Sequence, residues 1–200
     1  MQGKGRSYGA EVFAQKKTGD LTGWIGYTLS WTDRQFNELN DGKRFFYKYD
    51  RRHDISVALI KRFSSKLEVS ATWVFGTGTR MTVPVSIYRM ANPMEFSAET
   101  GGHGYWVGEE VYIEYDARNS YKMDAYHRLD LSASLIKKKR WGERRWIFSL
   151  YNAYWRRNPF YIDIKSETGY TREGWYAQKY EFVQYSLFPI VPSVSYQFRF

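Results

Sequence analysis

Residues 67–76 read LEVSATWVFG, and the period of this stretch is two. Leu67, Val69, Ala71, Trp73 and Phe75 fall on one side of an extended chain, and Glu68, Ser70, Thr72, Val74 and Gly76 on the other. Successive side chains of a strand point to opposite faces, so the stretch reads as a strand with one apolar and one polar or small face. Upstream, Ile55, Val57 and Leu59 alternate with Asp54, Ser56 and Ala58, with Ile60 as an exception. Leu21, Gly23, Ile25, Tyr27, Leu29 and Trp31 alternate with Thr22, Trp24, Gly26, Thr28, Ser30 and Thr32. Tyr8, Ala10, Val12 and Ala14 alternate with Ser7, Gly9, Glu11 and the exception Phe13. Downstream, Leu129, Leu131, Ala133 and Leu135 alternate with Arg128, Asp130, Ser132 and Ser134. Val194, Tyr196, Phe198 and Phe200 alternate with Ser195, Gln197 and Arg199. Residues 146–157 are also strand-like, but both faces are apolar at the start, which leaves their facing open.

The connections alternate in length. Strands near 6–17 and 21–32, near 53–63 and 67–76, and near 124–137 and 144–157 join through TGD, SSK and the basic KKKRWGE. Between these pairs lie the long stretches 33–50, 77–123 and 158–192, which hold all five prolines and leave the predicted strands free of them. Seven strands with short turns at one end and long loops at the other are therefore expected. About ten residues per strand, at roughly 3.3 Å each and tilted near 45°, span about 23 Å, the height of an outer-membrane barrel's apolar band. The fold expected is all-β, an antiparallel up-and-down transmembrane β-barrel segment. A soluble up-and-down barrel or sandwich is the alternative, but such folds rarely need loops of this length.

Composition points the same way. The 200 residues carry a net charge of +9, no cysteine, and 39 aromatics led by 18 tyrosines. Tyr and Trp favour places that are apolar at one end and wet at the other. The mean hydropathy of −0.61 and the lack of any apolar run of about 18 residues argue against helical membrane spans. Without cysteine there is no disulfide framework, thiolate metal site or cysteine nucleophile. The opening MQGKGRSYGA has no apolar h-region, so no signal peptide is expected within this chain.

The last strand, PSVSYQFRF, ends on Phe200 with apolar residues at alternate positions before it. It resembles the terminal signal read by the barrel-assembly machinery of Gram-negative outer membranes, which implies that role for Tyr196, Phe198 and Phe200. Tyr8-Gly9-Ala10-Glu11, LTGWIGYTLSWTDRQF, FNELNDGKRFFYKYDRRHD, RNSYKMDAYHRLDLS and FSLYNAYWRRNPF follow in order before it. Together, from about Tyr8 to Phe200, they resemble the late-barrel segments of TonB-dependent outer-membrane receptors.

That resemblance implies a 22-stranded barrel filled by an N-terminal plug, with uptake driven through TonB. The whole chain, 1–200, would be the C-terminal part of such a barrel, lacking the plug, the TonB-contacting box and the remaining strands. An odd strand count fits a part better than a closed barrel, since bacterial single-chain barrels have even numbers. The implied location is the bacterial outer membrane, and the implied partners are its lipid and lipopolysaccharide, the plug and other strands, TonB through that plug, and the assembly machinery. The short turns would face the periplasm and the long loops the exterior. Open edges are not tolerated in lipid, so the segment alone is not expected to transport. Siderophores, glycans, peptides and cobalamin-like compounds all remain open as ligands.

Candidate residues follow from facing. Glu11, Asp54, Glu68, Arg128 and Asp130 share the polar face and would form a lumen network of ion pairs. In the long loop, Tyr105, Trp106, Tyr112, Tyr115 and Arg118 are candidates for ligand stacking and hydrogen bonding, with packing among loops as the alternative. His53 and His127 share parity with the apolar face and read as interfacial residues, and His103 sits among glycines; their spacing matches no metal-ligand motif. No cofactor is expected. Neither a G-x-S-x-G, an H-E-x-x-H nor a phosphate-loop pattern occurs, so no catalytic residue and no enzyme activity is expected. The basic turn sets Lys137, Lys138, Lys139, Arg140, Arg144 and Arg145 against Glu143, net +5 of the chain's +9. It reads either as a contact for anionic headgroups or a periplasmic partner, or as a solvated turn, with Trp141 as an interface anchor.

Two further readings stand beside the transporter. One is a complete small outer-membrane barrel, an adhesin or structural protein, with an eighth strand in 159–188 that Phe160–Ile164 could supply. The other is a soluble basic β-protein stacking nucleic acid on aromatics. It would interleave cations with aromatics on one sheet face, whereas here charge gathers at turns and loops, and nucleic acid is not the expected partner.

Overall fold

The computed structural model describes residues 2–92, 108–170, 172 and 176–200. Its strands are β1 (Gly3–Lys16), β2 (Leu21–Phe36), β3 (Phe45–Phe46), β4 (His53–Arg62), β5 (Leu67–Gly76), β6 (Arg80–Met81), β7 (Pro84–Asn92), β8 (Gly108–Tyr115), β9 (Tyr121–Lys122), β10 (Tyr126–Lys139), β11 (Gly142–Tyr151), β12 (Pro159–Tyr170), β13 (Tyr176–Ser186) and β14 (Val191–Arg199). The chain is all-β, and every pairing is antiparallel. One sheet runs β1-β2-β4-β5-β10-β11-β14, with β3 as a short addition beside β2. The expected count of seven is too low, since β3, β6, β7, β8, β9, β12 and β13 lie outside it, but these seven strands fall on the segments that alternation picks out. They follow the chain as a meander, interrupted by excursions that build two-stranded pieces of their own: β6 with β9, β7 with β8, and β12 with β13.

The turns 17–20, 63–66 and 140–141 lie at one end of the sheet, and 37–52, 77–125 and 152–190 leave from the other. Each short turn has a local cause. Gly19 has a φ of +93°, which L side chains seldom adopt. The Ser64 hydroxyl accepts the Lys66 and Leu67 N–H groups, both at 3.2 Å, which closes a serine turn. At Gly142 the β14 backbone comes so close that a Cβ would stand 2.5 Å from the Arg199 carbonyl oxygen.

Register fixes the faces, because directly opposed residues of an antiparallel pair point the same way. The row Ile25–Val57–Trp73–Leu129 continues through its neighbours Leu59–Ala71–Leu131–Leu150. On the same face, Leu135 opposes Trp146, which opposes Tyr196, and Phe148 opposes Val194. One apolar face therefore runs without a break from β1 to β14. Rings gather at its two ends: Tyr8 on Trp31 and Trp73 on Phe75 toward the long connections, Trp146 on Tyr196 toward the turns. Aliphatic residues fill the band between them. The facing of the 146–157 segment, open from sequence, is settled: Trp146, Phe148 and Leu150 are on the apolar face, and Ile147, Ser149 and Tyr151 on the polar one.

Neither face is covered. Val12 is 66% exposed and Val194 60%, while the buried apolar side chains among the described residues are Phe45, Pro84 and Met123. The chain presents 15545 Å² to solvent. A folded monomer of this mass would present about 9,900 Å². The sheet is a single open layer, with β1 and β14 as its edges and no closure between them among the described residues.

Several expectations change. Residues 77–123 are not loop throughout, since they hold β6, β7, β8 and β9. β11 ends at Tyr151, not near 157, because Asn152 turns left-handed with a φ of +53°. The basic turn shrinks to Arg140-Trp141, because Lys137, Lys138 and Lys139 pair with Arg144, Glu143 and Gly142 as ladder. Pro84 and Pro159 open strands, and Pro192 is the second residue of edge strand β14, positions where a missing N–H is tolerated. The strand expected in 159–188 exists, but it pairs with β13 apart from the main sheet.

Candidate functional site

The long-connection end holds the chain's packed nuclei. In the first, Phe45 and Met123 are buried, and the polar groups around them are satisfied from two connections, 37–52 and 77–125, and from β2. Buried Asp50 accepts the Thr32 N–H at 2.8 Å and pairs with Arg52 at 3.5 Å, while the Arg52 guanidinium lies 4.6 Å from the Trp31 ring. Asn119 donates its side-chain N–H to the Phe46 carbonyl at 2.7 Å, and its backbone N–H to the Thr82 hydroxyl at 3.0 Å. Arg80 covers the Phe46 ring at 3.9 Å.

The second nucleus caps β10 and β11. On the polar face, Arg128 bonds the Asp130 carboxylate through Nε and Nη2, both at 2.9 Å. Its Nη1 donates to the Tyr126 hydroxyl at 2.9 Å and the Tyr151 hydroxyl at 2.7 Å. The other Asp130 oxygen accepts the Asn152 N–H at 2.9 Å. Asn152, 1% exposed, donates its side-chain N–H groups to the carbonyls of Arg156, Phe188 and Pro189, and accepts the Arg156 N–H at 3.1 Å. Asn158 stands in for a strand partner beside β10. It accepts the His127 N–H and donates to the His127 carbonyl, both at 2.9 Å. Between these groups lies a cleft of about 260 Å³ lined by Tyr126, Tyr151, Asn158, Pro159, Phe160, Leu187 and Phe188.

The sequence-selected residues distribute as follows. Arg128 and Asp130 are together in this second nucleus. Glu68 lies near the turn end, 3.8 Å from Arg62 and 3.7 Å from Arg145, which also reaches Glu143 at 3.5 Å. Asp54 sits two strands from Arg128, and its ion pair is with Arg51 at 3.4 Å. Glu11, opposite Thr28 on β1, has no ion pair among the described residues. The charges form separate groups along the polar face and not one lattice.

Among the loop candidates, Tyr112 stacks on Tyr88 across the β7–β8 hairpin, centroids 6.2 Å apart. Tyr115 is exposed at the base of that hairpin. Arg118 is exposed, with its guanidinium 5.7 Å from the Phe45 ring, and its backbone N–H donates to the Asn40 side chain at 3.0 Å. Tyr105, Trp106 and His103 lie outside the described residues. The two described histidines each meet a tyrosine hydroxyl: His53 meets Tyr27 at 2.9 Å, and His127 meets Tyr154 at 2.7 Å. No group of three or more His, Cys, Asp or Glu side chains gathers among the described residues.

Asn152, Asn158, Asp50 and Asn119 were not singled out by sequence reasoning. The available signal was their type: asparagine and aspartate are poor strand formers that close turns through their side chains. Compared with family models, with curated proteins and with solved structures, the chain matches none.

Proposed function

We propose that this chain is a wall segment of an outer-membrane β-barrel belonging to a TonB-dependent type of active transporter, which binds a scarce ligand at its long loops and imports it. The observation that supports this most is the unbroken apolar face of a single-layer sheet. A soluble sheet of this kind needs a second layer to bury that face, and the chain's own excursions do not supply one. Lipid would cover it instead, with the rings at its two ends at the interfaces. The opposite face, with its separate ion-pair groups and hydroxyls, suits a wetted or plugged lumen. Short turns on one side and long connections on the other match periplasmic and extracellular ends. The aromatic cleft beside Tyr126 and Tyr151 opens at the long-connection end, where a ligand would first meet the barrel. The transporter assignment itself rests on the ordered sequence resemblance.

The test uses single cysteines, which this chain's lack of cysteine makes clean. In intact Gram-negative cells producing the protein from its native gene, an impermeant maleimide should label Asp116→Cys and spare Ser65→Cys until the outer membrane is permeabilised. Labelling of Ser65→Cys in intact cells would sink the topology. The transporter part is tested apart from the barrel part: cross-linking in cells should recover TonB, and its absence would leave a barrel without energy coupling.

The small complete barrel loses its main support, since β12 and β13 pair outside the main sheet.

A further inference from the structure

The turn end of β10 and β11 holds cations that no carboxylate answers. Lys137 opposes Arg144, which opposes Phe198, and two residues nearer the band Leu135 opposes Trp146. All of these side chains share the apolar face. The Arg144 guanidinium lies 5.1 Å from the Trp141 ring and 6.0 Å from the Phe198 ring, and the two rings stand 5.4 Å apart. Its Nε is enclosed and has no hydrogen-bond partner. Lys137, Lys139 and Arg140 are exposed around it. Among the described residues none of these four cations has an ion pair; Glu143, the nearest acid in sequence, belongs to the other face and to Arg145.

An arginine Nε closed off from water beside two rings and given no internal acceptor is costly unless a counter-ion reaches the guanidinium from outside. Its neighbours decide what that counter-ion is. Trp146, Tyr196 and Leu135 adjoin it on the apolar side, so the anion must sit at the edge of a hydrocarbon layer. A free anion gains nothing from those neighbours, whereas a lipid brings its phosphate to the cations and its acyl chain to the band. We propose that the corner formed by Lys137, Lys139, Arg140, Trp141, Arg144 and Phe198 binds the phosphate diester of an anionic glycerophospholipid in the turn-side leaflet. This rests on the membrane reading above and adds a specific lipid site to it. Arg144 grips the phosphate between its stacking rings, and the lysines supply the preference for a headgroup with net negative charge.

The test is quenching of Trp141 by brominated lipid, read as the difference between the protein and its Trp141→Phe variant. Protein from the native gene is reconstituted into nanodiscs of zwitterionic lipid doped with a brominated anionic or a brominated zwitterionic lipid. The anionic lipid should quench at the lower mole fraction. Lys137→Gln and Arg144→Gln should each raise that mole fraction about fivefold, the weight of one cation at an anionic surface. Arg144→Lys should fall between, since it keeps charge but loses the planar stack. Lys137 is exposed, so its variant reads binding without threatening the fold. Equal quenching by the two lipids would overturn the site while leaving the membrane reading standing. An anionic preference that survives both substitutions would also overturn it, by placing the preference elsewhere. Protein that enters neither nanodisc would overturn the membrane reading and the site with it.

Discussion

Asn152 closes β11 with its backbone and its side chain together. Left-handed backbone costs asparagine less than most residues, and the amide then reaches carbonyls on both sides of the turn. Asn152→Ala would strand the Phe188 and Arg156 carbonyls in a buried site, a loss of about 1–3 kcal/mol. Asn152→Asp keeps the acceptor for Arg156 but removes the donors and sets a second carboxylate beside Asp130. Both should lower the urea midpoint in micelles, Asp the more; an unchanged midpoint for both would show the turn holds without the amide. Charged residues were easier to select from sequence than these amides. Parity alone put Arg128 and Asp130 on one face, two residues apart. Nothing in the letters distinguishes Asn152 from a surface asparagine, because its role depends on a carbonyl 37 residues away at Pro189.

Alternation is a local property, and the seven long strands are local objects, which is why both were readable together. The excursions were less so. β12 and β13 carry charged and aromatic residues on a ribbon that packs against no second layer, so no apolar stripe marks them. The stacked pair Tyr161–Tyr185, centroids 4.6 Å apart, holds the base of that ribbon, and Asn152 ties its descending chain. Replacing residues 164–182 by a short Gly/Ser link should leave the unfolding midpoint of the main sheet within about 0.5 kcal/mol, as for exposed changes that break no buried contact. A larger drop would show that the ribbon braces the sheet. Facing is tested on β5. Ala71, in the middle of the apolar band, should tolerate Arg poorly in a bilayer, losing about 2–4 kcal/mol, whereas Thr72→Arg on the other face should cost far less. Equal costs measured in liposomes would contradict a lipid-facing assignment.

At the scale of the molecule, the excess of exposed surface is the dominant fact. On the membrane reading, a single layer with bare faces and two edges unpaired among the described residues is not the resting form of a dissolved protein. Expressed alone, the 200-residue chain should form inclusion bodies or require detergent, and a monodisperse monomer in plain buffer by light scattering would refute that. The high net charge, which composition alone would assign to anionic partners in general, is concentrated at one end of one hairpin.

The placement of the three tight turns has a kinetic consequence. They make β1–β2, β4–β5 and β10–β11 neighbours that close over a few residues, while the other joins in the sheet wait on the excursions at 37–52, 77–125 and 152–190. Hairpins close in about 1–10 μs, and the entropy of longer closures grows with span. The sheet should therefore build by accretion of three ready-made hairpins, with the join of β5 to β10 across 77–125, the longest span, made last.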